Sequence, residues 1–283
     1  MPSATKARRA STPSFLRAAL ALAGGAASAC QLVAGIDDPL PGPASATTDP
    51  RGSDGGSVIG ADGGASTPSE YAKAVLTDAP TLYLRFSETS GVRVRNLGSA
   101  GGEVVLSGSA VRGRPSLVGG DDPSVGLGDG AQLTLDTAYD YPLATPFTYE
   151  LWVRPTRFGD VLSNQVNTPD LYGTAIYLTD RGFPYLGFER WGGTIIRFAH
   201  SEDRTPPAAG TLFHIVVVNT AARPSLFVNG TRYDGYANDG KSLPPPSALA
   251  LGSGAKGDYD EVAIYDHALS PERVLAHYAA GRP

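Results

Sequence analysis

The chain has 283 residues and a formal net charge of −5, with 18% charged residues, 35 glycines and 23 prolines. This composition favours many turns over long helices, and the length allows one large domain with appendages. The acidic balance and the lack of a basic stripe argue against nucleic acid as a partner. Cys30 is the single cysteine, which excludes an intrachain disulfide.

Residues 1–29 have the features of an export signal. Four basic residues precede or enter the alanine-rich stretch 18–29, which is too short to span a membrane. The segment Ala27-Ser28-Ala29-Cys30 resembles a bacterial lipobox, which implies cleavage before Cys30 and its acylation. A general secretory signal followed by an unmodified thiol is the alternative. By analogy with lipoprotein sorting, Gln31 favours the outer membrane.

Residues 30–69 are predicted to form a disordered tether, because this Pro-, Gly-, Ser- and Asp-rich segment has few large apolar groups to bury. Removal of residues 1–29 takes away four of 23 Lys+Arg and none of 28 Asp+Glu. The mature chain then has 19 basic and 28 acidic residues, a formal net charge of −9.

The folded domain is predicted to span residues 70–283. A short helical turn over 71–76 leads into an alternating strand at 81–86 and a turn at 87–91. Further short strands are predicted in the stretch before the central one. They lie at 104–106, 125–127 and 132–135.

The run 147–155 predicts a central strand. Phe147, Tyr149, Leu151 and Val153 alternate with polar residues, which gives the strand one face for a core. Trp152 lies among the polar residues, so the second face is expected to be covered as well.

Two hairpins and a closing helix follow. The segments 185–189 and 194–199 predict a hairpin whose tip is 190–193, and Asn229-Gly230 predicts a tight turn between 225–228 and 231–233. The apolar run 212–219 is typical of a strand buried on both faces. Ser270 and Pro271 predict a helix start after the strand 260–265. The pattern indicates an all-β, two-sheet antiparallel sandwich with a short C-terminal helix.

Four of these segments resemble the laminin-G-like jelly rolls of the concanavalin A-like lectin/glucanase superfamily. They are the central strand 147–155, the segments 213–216 and 226–230, and the closing strand and helix 257–272. The resemblance implies the jelly-roll fold for about residues 70–281. It is much less specific for function, since one fold hosts many activities.

The sequence does not favour an enzyme. Glycoside hydrolases of this superfamily carry Glu-x-Asp-x-x-Glu on one strand, and the chain has no such motif. Asp258 and Asp260 share a strand face, whereas Glu261 is expected to point the other way. Glu150 and His214 are interpreted as hydrogen-bonded strand residues, and His277 as a helix-surface residue.

The resemblance also implies a possible structural calcium ion. Glu88 in the opening turn and Asp260 in the closing strand are the expected ligands, with Asp258 behind them. Carboxylate oxygens suit this ion. Hydrogen bonds from loop amides to Glu88 and Asp260 are the alternative.

Ligand binding is the remaining activity. Trp191 and Arg190 lie at the predicted hairpin tip, where an aromatic ring beside a guanidinium can stack on a sugar or anchor a protein contact. Tyr172 is a weaker candidate of the same kind, and a tip folded over the sandwich is the alternative. The sequence therefore predicts an exported, lipid-anchored, non-catalytic module for carbohydrate or a surface protein. A glycan-cleaving enzyme and a purely structural envelope module are the alternatives.

Overall fold

The computed structural model describes residues 68–283, except 121, 168–170, 181–184, 193–194, 203–204, 206 and 238–246. For residues 166, 167, 171, 172, 191, 192, 195–198 and 237 it describes the backbone alone. The chain divides into two units, Met1–Val58 and Ile59–Pro283, and the described residues belong to the second. The predicted signal peptide and nearly all of the predicted tether lie outside the described residues.

Strands dominate the described residues, which contain two α-helices. The helices are α1 (Glu70–Thr77) and α2 (Pro271–Gly281). The strands are β1 (Leu82–Leu84), β2 (Arg93–Arg95), β3 (Glu103–Ser107), β4 (Val111–Arg114), β5 (Ser124–Leu127), β6 (Gln132–Thr134), β7 (Pro146–Arg157), β8 (Gly159–Ser163), β9 (Val166–Asn167), β10 (Leu171–Leu178), β11 (Leu186–Gly192), β12 (Ile195–His200), β13 (Phe213–Thr220), β14 (Pro224–Val228), β15 (Thr231–Asp234), β16 (Tyr236–Ala237), β17 (Ala250–Leu251) and β18 (Lys256–Tyr265). Neither helix is long and apolar enough to cross a bilayer.

The strands form two antiparallel sheets. The eight-stranded sheet has the order β15-β14-β13-β7-β18-β5-β4, and β1 also pairs with β18. The ten-stranded sheet has the order β16-β12-β11-β10-β8-β17-β6-β3-β2, and β9 also pairs with β10. The predicted all-β sandwich is confirmed.

The main core lies between the sheets and is organised by β7. Phe147, Tyr149, Leu151 and Val153 belong to it, as the alternation predicts. Each such side chain contributes roughly 1.5–3 kcal/mol on burial. Trp152 faces the other side of β7 and is also buried, so the prediction that both faces are covered is confirmed.

The local turn and cap signals are confirmed too. Asn229 and Gly230 have φ of 48° and 80°, as the tight turn between β14 and β15 requires. The Ser270 hydroxyl accepts a hydrogen bond from the Arg273 amide at 3.3 Å and so caps α2. Ser69, which the tether prediction included, caps α1 in the same way.

The two helices cover the outer face of the eight-stranded sheet, above a buried carboxylate. Glu150 on β7 is 1% exposed. Its oxygens accept hydrogen bonds from the hydroxyls of Tyr71 at 2.8 Å and Tyr265 at 2.9 Å. They also lie 2.8 Å from His214 Nε2 and 3.0 Å from His277 Nδ1. We call these five residues the Glu150 cluster.

The Glu150 cluster confirms two interpretations and corrects one. Glu150 and His214 are hydrogen-bonded interior residues, as expected. His277 is fully buried rather than on the helix surface, because α2 turns this face toward the sheet. Its Nε2 atom lies 2.8 Å from an oxygen of Asp78, just beyond α1, so His277 connects α2 and the end of α1 to β7.

Candidate functional site

The outer face of the ten-stranded sheet carries an open groove. On β10, Ile176 and Leu178 point into the core. The period of two therefore turns Ala175 and Tyr177 outward. On β11, Glu189 is paired with Ala175 and Gly187 with Tyr177, so Glu189 also lies on the outward face.

Two adjoining cavities make up this groove. One has a volume of about 710 Å³ and the other about 520 Å³, and both are lined by Asp160 and Gln165. Volumes of this size are typical of ligand sites. The larger cavity is lined by Arg157, Phe158, Gly159, Asp160, Gln165, Tyr177, Leu178, Thr179, Asp180 and Glu189. The smaller is lined by Gln132, Thr134, Asp160, Ser163, Asn164, Gln165, Ser247, Ala248, Ala250, Ser253 and Gly254. We call the two together the sheet groove.

Tyr177 lies across the neighbouring strand in the sheet groove. A Cβ atom on Gly187 would come within 2.5 Å of the Tyr177 hydroxyl and 2.6 Å of its Cζ, so the ring rests over this glycine. Burial and then the hydrogen-bonded Glu189 carboxylate raise the pKa of Tyr177. The ring is therefore held in place by both a backbone contact and a hydrogen bond.

Asp160 and Gln165 lie where the two cavities meet. The Asp160 carbonyl accepts hydrogen bonds from the amides of Gly254 at 3.0 Å and Ala255 at 2.8 Å, which fixes its backbone. Burial raises the pKa of the Asp160 carboxyl group, against a hydrogen bond from Ser163. The Nε2 atom of Gln165 is buried and has no hydrogen-bond partner among the described residues. An amide in this position can donate to a ligand oxygen.

The described lining of the sheet groove is acidic. Asp160, Asp180 and Glu189 face one basic residue, Arg157. The Arg157 guanidinium lies 2.7 Å from Asp129, so its charge is shared with an acid outside the groove. The smaller cavity adds amide and hydroxyl groups and no charge beyond that of Asp160 among the described residues.

The sequence matches the model of the Laminin_G_3 family, described as the concanavalin A-like lectin/glucanases superfamily, over residues 127–275, more than half of the chain. The chain belongs to this family. The resemblance inferred from the four segments is thereby confirmed. No curated protein matches the chain at a significant level.

Solved structures share the fold of this Laminin_G_3 domain. The binding domain of Paraclostridial Mosquitocidal Protein 1 superposes with a TM-score of 0.54 at 15% identity, over 72% of this chain and 52% of that one. The binding domain of botulinum neurotoxin DC in complex with rat synaptotagmin II superposes with a TM-score of 0.51 at 10% identity, over 72% of this chain and 52% of that one. Botulinum neurotoxin type C, described as dependent on two ganglioside molecules for cell entry, superposes with a TM-score of 0.51 at 11% identity. The match covers 74% of this chain and 52% of that one. The chain thus spans about half the length of these structures, and identities this low show the fold alone.

Arg190 does not lie at the hairpin tip that the sequence predicts. β11 continues through Gly192, and Arg190 is 1% exposed. Its guanidinium forms an ion pair with Asp140 and donates to the Thr174 hydroxyl at 2.7 Å. The predicted rim position of Arg190 is therefore wrong, because strand pairing continues beyond it and a buried acid binds its charge.

The Asp140–Arg190 pair supports one wall of the sheet groove. The Asp140 carboxylate also accepts hydrogen bonds from the Asn164 side chain at 2.9 Å and the Ser247 amide at 3.1 Å. Asn164 and Ser247 both line the smaller cavity. Arg190 does not line the groove itself. It binds Asp140, which in turn accepts hydrogen bonds from two residues that do.

The backbones of Trp191 and Tyr172 lie near each other on the paired strands β10 and β11. In the β10–β11 register, Trp191 is paired with Gly173 and Tyr172 with Gly192, at the same end of the hairpin. Their side chains lie outside the described part of the structure. A ligand-binding role for the two aromatic residues stays a prediction.

The structure separates the three acids predicted to bind calcium. Glu88 accepts hydrogen bonds from the Arg95 amide at 2.7 Å and from Arg112 at 3.0 Å. Asp258 forms an ion pair with Arg114 at 2.9 Å. The alternative interpretation, a hydrogen bond from a backbone amide, is observed for Glu88 and also for Asp260, whose Oδ2 atom accepts from the Leu117 amide at 3.0 Å.

Asp260 is grouped with two other acids. Oxygens of Asp122, Asp260 and Glu261 lie within 4.8 Å of one another, and all three residues are buried. The expectation that Glu261 points away from Asp260 is wrong. The pairing of β18 with β7 is irregular between Asp260 and Ala263, and Glu261 has φ of 52°. Such a bulge re-aims side chains and here brings the two neighbouring carboxylates together.

These three acids and two neighbours form what we call the Asp260 cluster. Arg85 lies 2.9 Å from Asp122 and 3.4 Å from Glu261, and the Tyr83 hydroxyl donates to Glu261. Burial and then the adjacent Glu261 raise the pKa of Asp260. Burial also raises the pKa of Glu261 to about 7 and that of Asp122 to about 6. Two of the three acids thus share one arginine.

The Asp260 cluster fits a calcium ion better than the predicted set does. It offers carboxylate oxygens, which this hard cation prefers. The Oδ1 atom of Asp260 has no hydrogen-bond partner among the described residues, although it is buried. Arg85 already supplies one positive charge beside two of the acids, so the cluster can hold a cation only together with this guanidinium. Calcium binding itself stays a prediction.

The residues of the sheet groove are not among those that the sequence predicts to bind a ligand. The alternation Ala175-Ile176-Tyr177-Leu178 was available and places Tyr177 on the polar face. The contact of this ring with Gly187 cannot be predicted from the sequence, because it depends on the pairing of β10 with β11 in the folded sheet. The same holds for Asp160 and Gln165. They reach the groove because β8 pairs with β10 and with β17, and β17 is distant in the sequence.

Proposed function

We propose that this domain is a non-catalytic recognition module that binds carbohydrate in the sheet groove. The observation that carries the proposal is the Tyr177 ring, fixed over Gly187 on the floor of an open cavity of about 710 Å³. A held aromatic ring loses little conformational entropy on binding and offers an apolar surface to a sugar ring.

The other groups of the groove suit the hydroxyls of a sugar. Gln165 has a buried amide without a partner among the described residues, at the place where the cavities meet. Asp160 accepts hydrogen bonds, and the smaller cavity adds hydroxyl and amide groups. A few polar groups around an apolar contact fix the orientation of a bound ligand.

The polar lining also favours recognition over a purely structural role. A structural envelope module would be expected to show a bare aliphatic face, whereas this face carries acids, amides and a tyrosine. Domains of this fold take both kinds of ligand considered for the chain: the neurotoxin relatives are described with synaptotagmin and with gangliosides. A protein ligand is therefore the second candidate.

Strand spacing argues against hydrolysis by the two central acids. Asp160 on β8 and Glu189 on β11 are separated by β10, which sets the strands about 9.6 Å apart. Their registers on β10 differ by two residues, which adds about 7 Å along the strand. Glycoside hydrolases need carboxyl groups about 5–9.5 Å apart. Glu189 is also engaged by the Tyr177 hydroxyl.

Export and anchoring complete the proposal. The basic and alanine-rich segment before Cys30 supports passage across a membrane, and the lipobox resemblance supports a lipid on Cys30. The tether predicted for 30–69 would hold the domain away from the envelope, with the outer membrane favoured. Labelling with radioactive palmitate tests the anchor: Cys30→Ser should abolish the label, and a label that persists would contradict it.

A glycan array with the purified full-length chain tests the binding function. Tyr177→Ala and Gln165→Ala should each reduce glycan binding at least about tenfold, since each removes a contact of about 1.4 kcal/mol or more. Tyr177→Phe keeps the ring and should retain most of the binding. Tyr236→Ala is the matched control, because Tyr236 is an exposed tyrosine outside the sheet groove.

The outcomes separate the candidates. Glycan binding that survives both Tyr177→Ala and Gln165→Ala would move the site away from the sheet groove. Shortened glycan products after incubation would establish the hydrolase instead. Absence of glycan binding together with pull-down of a surface protein by the wild-type chain would establish the second candidate.

A further inference from the structure

The charge of the sheet groove restricts the glycans that it can accept. Asp160, Asp180 and Glu189 are spread along the larger cavity, and Asp160 continues into the smaller one. Arg157 shares its charge with Asp129. A carboxylate or sulfate on a sugar would therefore face like charges at several positions, and like charges across an interface oppose binding.

The shape of the groove restricts ligand length. Its lining comes from β11, β10, β8, β17 and β6, which are neighbours in this order in the sheet. Five adjacent strands span about 19 Å at the usual strand spacing. A single sugar ring fills only part of such a path. Asp160 and Gln165 line both cavities, so one chain can pass from one to the other without leaving the sheet.

The two ends of this path differ in chemistry. The end at β10 and β11 has the Tyr177 ring, whereas the end at β17 and β6 has Thr134, Ser253 and Gln132. Uncharged hydroxyl-rich rings can use both ends, because they stack on an aromatic ring through one face and form hydrogen bonds at their edges.

We propose that the sheet groove is selective for an uncharged, linear polysaccharide chain that lies across the strands. This inference rests on the proposed function and adds the class of carbohydrate. The groove is expected to bind neutral chains in preference to sialylated, sulfated and uronate-containing ones. It is also expected to bind internal segments of a chain in preference to single terminal sugars.

Binding of matched glycan pairs to the full-length chain tests the charge selectivity. Each pair shares a backbone and differs in charge: oligogalacturonate and its methyl ester, a sulfated glycan and its desulfated form, a sialylated glycan and its desialylated form. The neutral member should bind at least about tenfold more tightly at low salt, and the ratio should shrink as salt screens the acids. Asp180→Asn combined with Glu189→Gln should reduce the ratio, whereas Glu103→Gln, at an exposed position of β3 outside the groove, should not.

Binding of neutral oligosaccharides of increasing length tests whether the ligand extends across both cavities. Within a neutral backbone, affinity should rise by about tenfold or more from the dimer to the hexamer, because the longer chain reaches both cavities. Charged members that bind as tightly as neutral ones, with Tyr177→Ala still abolishing binding, would overturn this inference and leave the proposed function standing. Dimers that bind as tightly as hexamers would overturn the extended mode. If no member of any pair binds, the proposed function fails and this inference with it.

Discussion

The Glu150 cluster and the Asp260 cluster lie on neighbouring strands of the same sheet and are both buried, yet they have opposite electrostatics. Glu150 is surrounded by two histidines and two tyrosine hydroxyls. Burial raises its pKa, but the nearby His277 and His214 outweigh burial and hold the pKa of Glu150 well below its usual range. In the Asp260 cluster, two of the three acids share Arg85, and the pKa values of all three rise. The charges and hydrogen-bond donors around a buried carboxylate, set against its burial, decide which form the fold stabilises.

The largest expected effect comes from removing the carboxylate at the centre of the first cluster. Glu150→Ala leaves two histidines and two hydroxyls buried without their acceptor, and breaking such a network costs about 3–5 kcal/mol of unfolding free energy. Urea unfolding monitored by tryptophan fluorescence measures this loss. Glu103→Gln, at an exposed glutamate, is the control. A loss below about 1 kcal/mol would show that the cluster contributes little to stability.

The second cluster should make stability depend on pH. The pKa of Glu261 is raised to about 7 from its usual 4.5, so the folded state binds more protons than the unfolded state between these values. Stability contributed by the protonated form is therefore complete below about pH 4.5 and lost as the pH rises to about 7, on the order of 3 kcal/mol in all.

Comparison with Glu261→Gln isolates this contribution. The variant cannot titrate at this position, so its unfolding free energy should fall less steeply from pH 4.5 to 7 than that of the wild-type chain. His277 titrates in both proteins and cancels in the difference. Parallel curves would contradict the raised pKa of Glu261.

A cation should reverse the imbalance of the Asp260 cluster. At pH 8, millimolar calcium should raise the melting temperature above that in chelator, with about 2.7 kcal/mol of stabilisation when calcium is at one hundred times its Kd. Asp260→Asn should abolish the difference, whereas Asp258→Asn should keep it, because Asp258 is paired with Arg114 outside the cluster. Identical melting curves in calcium and chelator would remove the metal proposal.

A smaller effect is expected at the edge of the Glu150 cluster. Burial lowers the pKa of His277, but Glu150 and then Asp78 outweigh it, so the pKa is raised. The stability from His277 is thus complete below about pH 6.5 and lost as the pH rises through the folded-state value. Asp78→Asn should lower the pKa of His277 in an NMR titration and cost about 1–2 kcal/mol at pH 6. An unchanged histidine titration would show that Asp78 does not act on this ring.

The smallest effect is expected just outside the Asp260 cluster. Arg114 is half exposed beside Asp258, and exposed pairs contribute little. Arg114→Ala should leave the melting temperature within about 2 °C of the wild-type value. A larger drop would mean that the neighbouring ion pair is coupled to the cluster.

The sequence was sufficient for the sandwich because its signals there are local. The alternation along β7, the turn at Asn229-Gly230 and the cap at Ser270 each specify structure through near neighbours. The two clusters depend instead on distant pairing: His277 reaches Glu150 across 127 residues of chain. The bulge that turns Glu261 toward Asp260 also breaks the period of two on which the sequence interpretation relied.

The same limit explains the results at the candidate site. The two glycines after Trp191 predict a hairpin tip at Arg190 and Trp191, but pairing with β10 and β12 extends through both residues. Tyr177 cannot be recognised as a site residue from the sequence, because its position depends on Gly187 on the next strand. A sequence shows which side chains share a face of one strand, and the neighbouring strand decides what that face can bind.

The short helix α1 has a mechanical consequence. It is the first described element of the domain, and Tyr71 joins it to β7 through one hydrogen bond to Glu150. Tension applied from the N-terminal side therefore enters the sandwich at α1, before it loads the ladder between β1 and β18. Stretching of single molecules should show a short early extension as α1 detaches, followed by the main rupture of the strands. A single rupture without the early step would show that helix and sheet bear the load together.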